Sequence, residues 1–459
     1  MAEIESQLHA YASAVLDRVE PVSAEDILWL SQSRARARRR GSLLVALAVV
    51  VALVVVPIAW FRSRTSDSGV NRVTSSGDRN ALPTSWTRVD ALGDARVNAS
   101  ASSRSGIVAV GSGIWFSRDG QTWTQALDPG EVGALPLPQQ GPLPQEGLVA
   151  DVATAGRRFV AVGQAVDPVS KQAVAAIWTS PDGQHWARVR DPSLRPPTPP
   201  IPAGYTTPVV GSIQAVTRGG AGFVAVGRVF AGTFRGGRLG TAPYAPAIWR
   251  SRDGRSWKRV DITNAVGKGP SSWELTDVAA HNGSFYATAT VGAVTVILRS
   301  EDGGHWQRFG TPTGTFNRMI EYDGFLVAVG SQSASIANGG APERAGIWIS
   351  SDGRHWHRVA TSAAALFSRY EAVTARGRAL AAVGVIGNHE VLVDGILAVS
   401  NDGRAWKSVT TSGTVFAPGT ELSAVTAFGR RFVAFGHSIT ADAAGVFRSR
   451  SSVFLSSVR

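Results

Sequence analysis

The sequence contains no cysteine, which excludes a disulfide framework and any metal site built on thiolates. Lysine is nearly absent too, so almost all of the 46 basic residues are arginine; the four lysines are Lys171, Lys258, Lys268 and Lys407. The formal net charge is +12, yet the basic residues of the repeats form no continuous stripe and no nucleic-acid-binding motif occurs. We therefore expect no nucleic-acid partner, no metal and no cofactor.

What the sequence does contain is a phrase, Ser-x-Asp-Gly-x-x-Trp, in six copies. The last four copies lie about 50 residues apart, a period typical of repeat architectures. The aspartates are Asp119, Asp182, Asp253, Asp302, Asp352 and Asp402, and the tryptophans are Trp123, Trp186, Trp257, Trp306, Trp356 and Trp406. A seventh copy, at residues 446–458, keeps the frame but has lost the aspartate, the glycine and the tryptophan.

The phrase predicts a tight β-hairpin. The segments on either side, Ile-Trp-x-Ser and Trp-x-Arg-Val, are rich in strand-forming residues, and the glycine accepts a positive φ in the turn. The aspartate carboxylate accepts hydrogen bonds from backbone N–H groups of its own turn. One carboxylate per distant repeat cannot converge on one site, so we assign the aspartates a structural role. His185, His305 and His355 fall beside these turns in separate repeats and are not ligands of one metal.

Two further phrases precede each hairpin, Ala-Val-Thr and Phe-Val-Ala-Val-Gly, so each repeat supplies four strands. This predicts an all-β fold, a β-propeller of four-stranded blades over residues 84–459. Seven copies of the second phrase predict seven blades, with six as the alternative. An isolated fourth-strand phrase predicts how the ring closes: residues 84–90 pair with the third strand of the last blade at residues 446–449. The remaining C-terminal strand is then peripheral or displaced.

The segment before the propeller predicts a membrane anchor. Residues 1–40 predict a short helical cytosolic tail that ends in an arginine cluster between Arg34 and Arg40. Residues 41–61 carry no charge and are long enough to cross the ~30 Å hydrocarbon core as one helix. The arginine cluster puts the N-terminus in the cytoplasm and the propeller outside. Residues 62–83 predict a flexible stalk, and the tail is either a partner-docking segment or a loosely ordered leader.

The longest connections predict which face carries a site. In a propeller blade, the connections from strand two to strand three and from one blade to the next share a face. All long segments fall in these connections, at residues 128–147, 164–174, 191–211, 228–246 and 331–346. The innermost strands begin at this face with candidate ligand-binding residues: Asp151, Gln214, Glu274, Asp277, Arg318, Arg369, Tyr370, Glu371 and Glu421. Solvation of a central channel is the alternative explanation of the same residues.

The six phrases resemble the Asp-box, or BNR, repeats of sialidases and sialidase-like β-propellers, and the resemblance covers residues 84–459. It implies architecture rather than chemistry, because the family's Asp boxes lie on the rim, away from the catalytic centre. The box here is one residue shorter than the usual Ser-x-Asp-x-Gly-x-x-Trp, and sialidases have six blades. The Arg-Ile-Pro motif with which the family's arginine triad begins is absent.

Two functions follow. The favoured hypothesis is a membrane-anchored, extracytoplasmic propeller that binds an envelope protein or glycan without catalysis. The alternative, implied by the resemblance, is a sialidase-like glycosidase acting on terminal sialosides with an arginine triad and a tyrosine–glutamate nucleophile pair. Arg318, Arg369, Tyr370 and Glu371 are of the right types, but adjacent Tyr370 and Glu371 should point to opposite faces of a strand.

Overall fold

The computed structural model describes residues 82–83, 85–127, 149–167, 173–194, 211–230, 244–267, 273–292, 294–333, 343–361, 367–387, 392–409, 411, 415–416, 419–441 and 447–457. These residues form seven four-stranded antiparallel sheets, which are the blades of a β-propeller. The predicted all-β, seven-bladed architecture is confirmed, and the six-bladed alternative is wrong.

The strands follow the blades in chain order, except for β1 (Trp86–Val89), which belongs to the last blade. Blade 1 consists of β2 (Val97–Ser103), β3 (Gly106–Gly111), β4 (Ile114–Ser117) and β5 (Thr124–Leu127), and blade 2 of β6 (Val149–Ala155), β7 (Arg158–Val166), β8 (Ala173–Ser180) and β9 (Ala187–Arg188). Blade 3 consists of β10 (Gly211–Gly219), β11 (Gly222–Phe230), β12 (Tyr244–Ser251) and β13 (Lys258–Val260), and blade 4 of β14 (Trp273–His281), β15 (Ser284–Val291), β16 (Val294–Ser300) and β17 (Gln307–Gly310). Blade 5 consists of β18 (Thr315–Tyr322), β19 (Phe325–Ser333), β20 (Glu343–Ser350) and β21 (His357–Arg358), blade 6 of β22 (Ser368–Arg376), β23 (Ala379–Gly387), β24 (Leu392–Ser400) and β25 (Lys407–Val409), and blade 7 of β26 (Thr420–Phe428), β27 (Arg431–Ala441), β28 (Phe447–Ser456) and β1. Helical structure in the described ranges is limited to a 3₁₀ turn, Pro192–Leu194, and the one-turn helix α1, Thr263–Val266.

As predicted, a strand from the N-terminal end of the propeller closes the ring by completing the last blade, but its pairing register differs from the predicted one. β1 completes blade 7 by pairing with β28, from Trp86 opposite Ser456 to Val89 opposite Val453. The predicted partner at residues 446–449 is therefore wrong, and so is the peripheral C-terminal strand. Val433 pairs with Leu455 as Val224 pairs with Arg250, so residues 453–456 are the third-strand phrase of this blade and the expected repeat frame at residues 446–458 is wrong. β28 is one long strand paired with β27, and β1 supplies the fourth strand that the other blades form after their Asp-Gly turn.

The hydrophobic core is divided among the seven interfaces between neighbouring blades. Each interface holds one cluster of buried side chains, supplied mainly by the second and third strands of one blade and the first and second strands of the next. Between blades 3 and 4, for example, Val226 and Ile248 pack with Phe285 and Leu298. Successive residues of the Phe-Val-Ala-Val-Gly phrase point to opposite faces of the sheet, and all of them are apolar or glycine. Each blade therefore buries both of its faces against its two neighbours.

The Ser-x-Asp-Gly-x-x-Trp phrases form the predicted clipped turns. In blade 6, Asp402 Oδ1 accepts hydrogen bonds from the backbone N–H groups of Arg404 and Ala405, both at 2.8 Å. The Ala405 N–H holds the pKa of Asp402 below its usual range. Ser400 Oγ accepts from Gly403 N at 2.9 Å, and the Trp406 indole N–H donates to Gly403 O at 2.9 Å. The serine, aspartate, glycine and tryptophan of the phrase thus all form hydrogen bonds within their own turn.

The predicted helical tail (1–40), transmembrane helix (41–61) and nearly all of the stalk (62–83) lie outside the described residues. Within the described ranges, no helix has both the length and the apolar character needed to cross a bilayer.

Candidate functional site

A cavity of about 390 Å³ lies at the centre of the ring, where the innermost strands of six blades meet. It is lined near the starts of these strands, at the face where the long connections enter, by Arg96, Asn98, Gln214, Thr276, Asn317, Arg318, Arg369, Glu371, Glu421 and Ser423. We call it the channel cavity. All of its lining side chains are polar or charged.

A β-bulge repeated in every blade turns these side chains towards the axis. In each innermost strand the pairing register shifts at the same position and leaves one residue unpaired. The bulged residues are Asn98, Ala150, Gln214, Thr276, Asn317, Glu371 and Ser423. Six of these seven line the channel cavity, the exception being Ala150.

Three bulged residues also connect neighbouring blades. Asn98 Nδ2 donates to Val149 O at 3.1 Å, and Asn317 Nδ2 donates to Tyr370 O at 2.8 Å. Ser423 Oγ donates to Val97 O at 2.6 Å, across the closure of the ring. In each case the acceptor is the residue just before the bulge of the next blade, so the repeated geometry fixes the cavity wall.

Glu371 departs from this pattern, because an ionised carboxylate cannot donate to a carbonyl. Arg369 Nε donates to Glu371 Oε1 at 2.5 Å, and Asn317 Nδ2 contacts Oε2 at 3.3 Å. Burial raises the pKa of Glu371, and the Arg369 charge opposes that rise. The result is a half-buried ion pair within the cavity wall.

The floor of the cavity is an ion cluster that spans the channel. Arg318 of blade 5 forms two bonds with Asp151 of blade 2, Nη1–Oδ2 at 2.9 Å and Nη2–Oδ1 at 3.0 Å. Its Nη1 also contacts Asp277 Oδ1 of blade 4 at 3.3 Å. The two carboxylates accept from backbone as well, Asp151 from Val216 N at 2.9 Å and Asp277 from Met319 N at 2.5 Å.

The cluster contains one guanidinium, that of Arg318, and two buried carboxylates, those of Asp151 and Asp277. Burial raises the pKa of Asp277 to about 6, with Arg318 opposing the rise and Asp151 adding to it. Burial also lowers the pKa of Arg318, but the charges of Asp151 and Asp277 outweigh burial and hold it above its ordinary value. Because both aspartates bind its guanidinium, Arg318 links blades 2, 4 and 5.

Two arginines and two glutamates form a second set of ion pairs in the cavity wall. Arg96 Nη2 lies 3.9 Å from Glu421 Oε1, and His437 Nε2 lies 3.4 Å from Glu421 Oε2. Burial, followed by the Arg96 charge, lowers the pKa of His437 to about 4, so this imidazole is neutral at pH 7. With the Arg369–Glu371 pair, this part of the wall carries two positive and two negative charges.

The predicted site residues separate into four groups, of which Tyr370 alone is the last. Gln214, Arg318, Arg369, Glu371 and Glu421 line the cavity, and Asp151 and Asp277 lie beneath it. Glu274 lies outside it, 64% exposed and 3.5 Å from Arg228 Nη1.

Tyr370 does not reach the cavity, although Glu371 beside it does. Its side chain is 3% exposed and packs between blades 5 and 6, where burial raises its pKa to about 12. The bulge explains the difference: Glu371 is its unpaired residue and lines the cavity, whereas Tyr370 pairs with Gly384 and packs in the core. No tyrosine is found among the described residues that line the cavity.

Sequence reasoning missed Arg96, Asn98, Thr276, Asn317 and Ser423, which complete the lining. The sequence does carry an indication of most of them. A polar residue stands immediately before the Ala-Val-Thr phrase or its equivalent, as Gln214 and Ser423 do, and Asn98, Thr276 and Asn317 occupy the same place. Arg96 stands two residues before the bulged residue of blade 1, the position that Arg369 and Glu421 occupy in blades 6 and 7, so the same repeat position could have identified it.

Within the described ranges, no group of three or more histidine and carboxylate side chains could hold a metal ion. His185, His305 and His355 each bond the aspartate of their own turn through Nδ1, at 2.7, 2.8 and 2.7 Å, in three different blades.

No family model and no curated protein matches the chain. Among solved structures it is similar to a Trypanosoma rangeli sialidase, with 15% identity and a TM-score of 0.44 over 82% of this chain and 60% of that one. The endosialidase of phage phi92 is similar over 82% of this chain and 69% of that one, with 12% identity and a TM-score of 0.43. A neuraminidase-like protein of subtype N11 from A/flat-faced bat/Peru/033/2010 covers 67% and 86%, with 9% identity and a TM-score of 0.36. The chain thus spans about 60% of the trypanosomal sialidase, and likeness at these levels says nothing about activity.

Proposed function

We propose that the protein is a non-enzymatic binding propeller that recognises an acidic saccharide, carried by an envelope glycan or glycoprotein, at the channel cavity. In this proposal residues 41–61 anchor the chain in the membrane and the propeller stands outside the cytoplasm. The observation that carries the proposal is the pairing of two partly exposed arginines, Arg96 and Arg369, with two glutamates in the wall of a wholly polar cavity.

The charge arrangement suits a ligand that combines a carboxylate with hydroxyl groups. Guanidinium groups bind carboxylates in a fork geometry, while Glu371 and Glu421 accept hydrogen bonds from hydroxyls. The two glutamates would repel a purely anionic ligand, and the two arginines would repel a purely cationic one. A sugar acid satisfies both sets of groups.

Among the described residues that line the cavity, none is the tyrosine that the resemblance requires for catalysis. A sialidase-type mechanism uses a tyrosine nucleophile, and Tyr370 is buried in the core with its pKa raised to about 12. Its neighbour Glu371 is bound to Arg369 rather than to a tyrosine hydroxyl. Binding without turnover is therefore the function that the described residues support best.

The test is a binding panel on the full-length protein. Saturation-transfer NMR with N-acetylneuraminic acid, glucuronic acid and N-acetylglucosamine should show binding of at least one acidic sugar. Arg369→Ala should weaken that binding at least about tenfold, since a charge-assisted hydrogen bond contributes about 1.5–3 kcal/mol. Arg354→Ala, at an exposed turn in blade 5, is the matched control and should change nothing. Failure of both acidic sugars to bind, or an equal loss in the control, would contradict the proposal.

One observation favours the alternative of a sialidase-like glycosidase. Arg96, Arg318 and Arg369 all line the same cavity, as an arginine triad for a substrate carboxylate would. Against it, Asp151 and Asp277 already bind the Arg318 guanidinium. Release of the aglycone from a fluorogenic sialoside, lost in Arg369→Ala, would favour hydrolysis over binding.

A further inference from the structure

A second polar cavity, of about 290 Å³, lies on the opposite face of the ring, in the groove between blades 2 and 3. Four arginines surround it: Arg158 at the start of β7, Arg218 near the end of β10, and Arg252 and Arg255 in the turn between β12 and β13. All four are exposed, and buried Phe159, Val160 and Phe223 form the floor. We call this cavity the four-arginine groove.

One acidic residue, Asp253, lines the groove, and its own turn already uses the carboxylate. Asp253 Oδ1 accepts from Arg255 N at 2.8 Å, Ser256 N at 2.9 Å and Ser251 Oγ at 3.0 Å. Across the part of the chain that the structure describes, none of the ion pairs involves any of the four arginines. Four guanidinium charges thus face one space with a single carboxylate nearby.

The other grooves of the ring show that the fold does not require these charges. The repeats share one backbone, so the strand registers identify the positions equivalent to Arg158, Arg218, Arg252 and Arg255 elsewhere. The equivalent residues are Gly106, Thr154, Pro181 and Gln184 between blades 1 and 2; Gly222, Ala280, Glu301 and Gly304 between blades 3 and 4; Ser284, Glu321, Ser351 and Arg354 between blades 4 and 5; Phe325, Ala375, Asn401 and Arg404 between blades 5 and 6; and Arg431, Ser102, Arg118 and Gln121 between blades 7 and 1. At these four positions the five grooves carry at most two arginines, and the first two grooves carry none, so a role in packing the turn does not explain four. The groove between blades 6 and 7 has no position equivalent to Arg252 or Arg255, because β1 supplies the fourth strand of blade 7.

We propose that the four-arginine groove is an anion-binding site that takes a multivalent acidic group, phosphate or polycarboxylate, at the turn face of the propeller. Arginine suits this task because its planar fork binds two oxygens of such a group at once. Four positive side chains that line one cavity repel one another, and an anion with several oxygens relieves that repulsion. The site is independent of the channel cavity, which opens on the other face.

The test uses inorganic tripolyphosphate and citrate as probes, titrated by calorimetry into the full-length protein at low and at physiological ionic strength. We expect one binding site per chain, weakened by salt because the contacts are exposed. The double substitution Arg252→Ala/Arg255→Ala should weaken binding at least tenfold. A tighter complex with tripolyphosphate assigns the site to phosphate, and a tighter complex with citrate assigns it to carboxylates.

The matched control is Arg118→Ala/Arg404→Ala, which removes two arginines from equivalent turn positions in blades 1 and 6. This control should leave the affinity unchanged, as should Arg369→Ala in the channel cavity. The proposal would be overturned if neither probe binds. It would also be overturned if the two double variants lose the same affinity, because an equal loss would mean that the probe senses only the overall positive charge of the surface. Because the channel variant is tested in the same titration, failure here is distinguishable from failure of saccharide binding.

Discussion

Replacement of Asp277 by asparagine gives the sharpest test of the ion cluster beneath the channel cavity. Asp277 is 1% exposed, and burial raises its pKa from 3.8 to about 6. The folded protein therefore holds this proton more tightly than the unfolded chain does. The stability that the proton supplies is fully present below pH 3.8 and is lost as the pH rises through about 6.

The size of the effect follows from the shift. Roughly two pH units at about 1.4 kcal/mol per unit amount to about 3 kcal/mol. Asparagine has no proton to lose, and its amide oxygen can still accept from Met319 N. Arg318 keeps its two bonds with Asp151. The unfolding free energy of Asp277→Asn, relative to the wild type, should therefore rise by about 3 kcal/mol between pH 4 and pH 7.

The assay is urea denaturation of the full-length protein, followed by tryptophan fluorescence at constant ionic strength from pH 4 to pH 7. Asp402→Asn is the control, because its pKa shift is opposite in direction: hydrogen bonds within the turn lower the pKa of Asp402. Its contribution is present above pH 3.8 and lost below, so its difference from the wild type should stay constant across the same range. A difference for Asp277→Asn that stays constant or shrinks as the pH rises would refute the reasoning.

Two further predictions concern the turns and the anchor. Gly303→Ala should lower the unfolding free energy by about 3 kcal/mol, because the added Cβ would lie 2.9 Å from Val224 Cγ2 at a φ of +71°. Gly324→Ala, at a φ of +81° with no atom within 4 Å, should cost only about 1 kcal/mol, and equal losses by urea denaturation would contradict the packing argument. Deletion of residues 41–61 should move the protein from the carbonate-washed membrane fraction to the soluble one; a wild-type protein already soluble would rule out the anchor.

The repeated phrases made the fold predictable. Each hairpin is specified locally, by Asp402 and its equivalents bonding their own turns, and the number of strand phrases sets the number of blades. The register of closure was missed because residues 446–449 and residues 453–456 can both be read as a third-strand phrase. Only the pairing with β27 shows that residues 453–456 are that phrase, and these are the residues with which β1 pairs.

The site was predictable in part. The starts of the innermost strands were correctly placed around the axis, so Gln214, Arg369 and Glu371 lie in one cavity. The bulges were not foreseen, because they depend on the pairing of two strands rather than on either sequence alone. The bond between Arg318 and Asp151 joins residues 167 positions apart in non-adjacent blades, and only the width of the closed ring decides whether they meet.

The most direct test of the central proposal, binding without turnover at the channel cavity, is to follow binding and hydrolysis of one fluorogenic sialoside in the same sample of the full-length protein. The account predicts a bound, intact glycoside, with binding weakened at least about tenfold by Arg369→Ala and no release of the fluorophore by either protein. Release by the wild type that disappears in Arg369→Ala would contradict it.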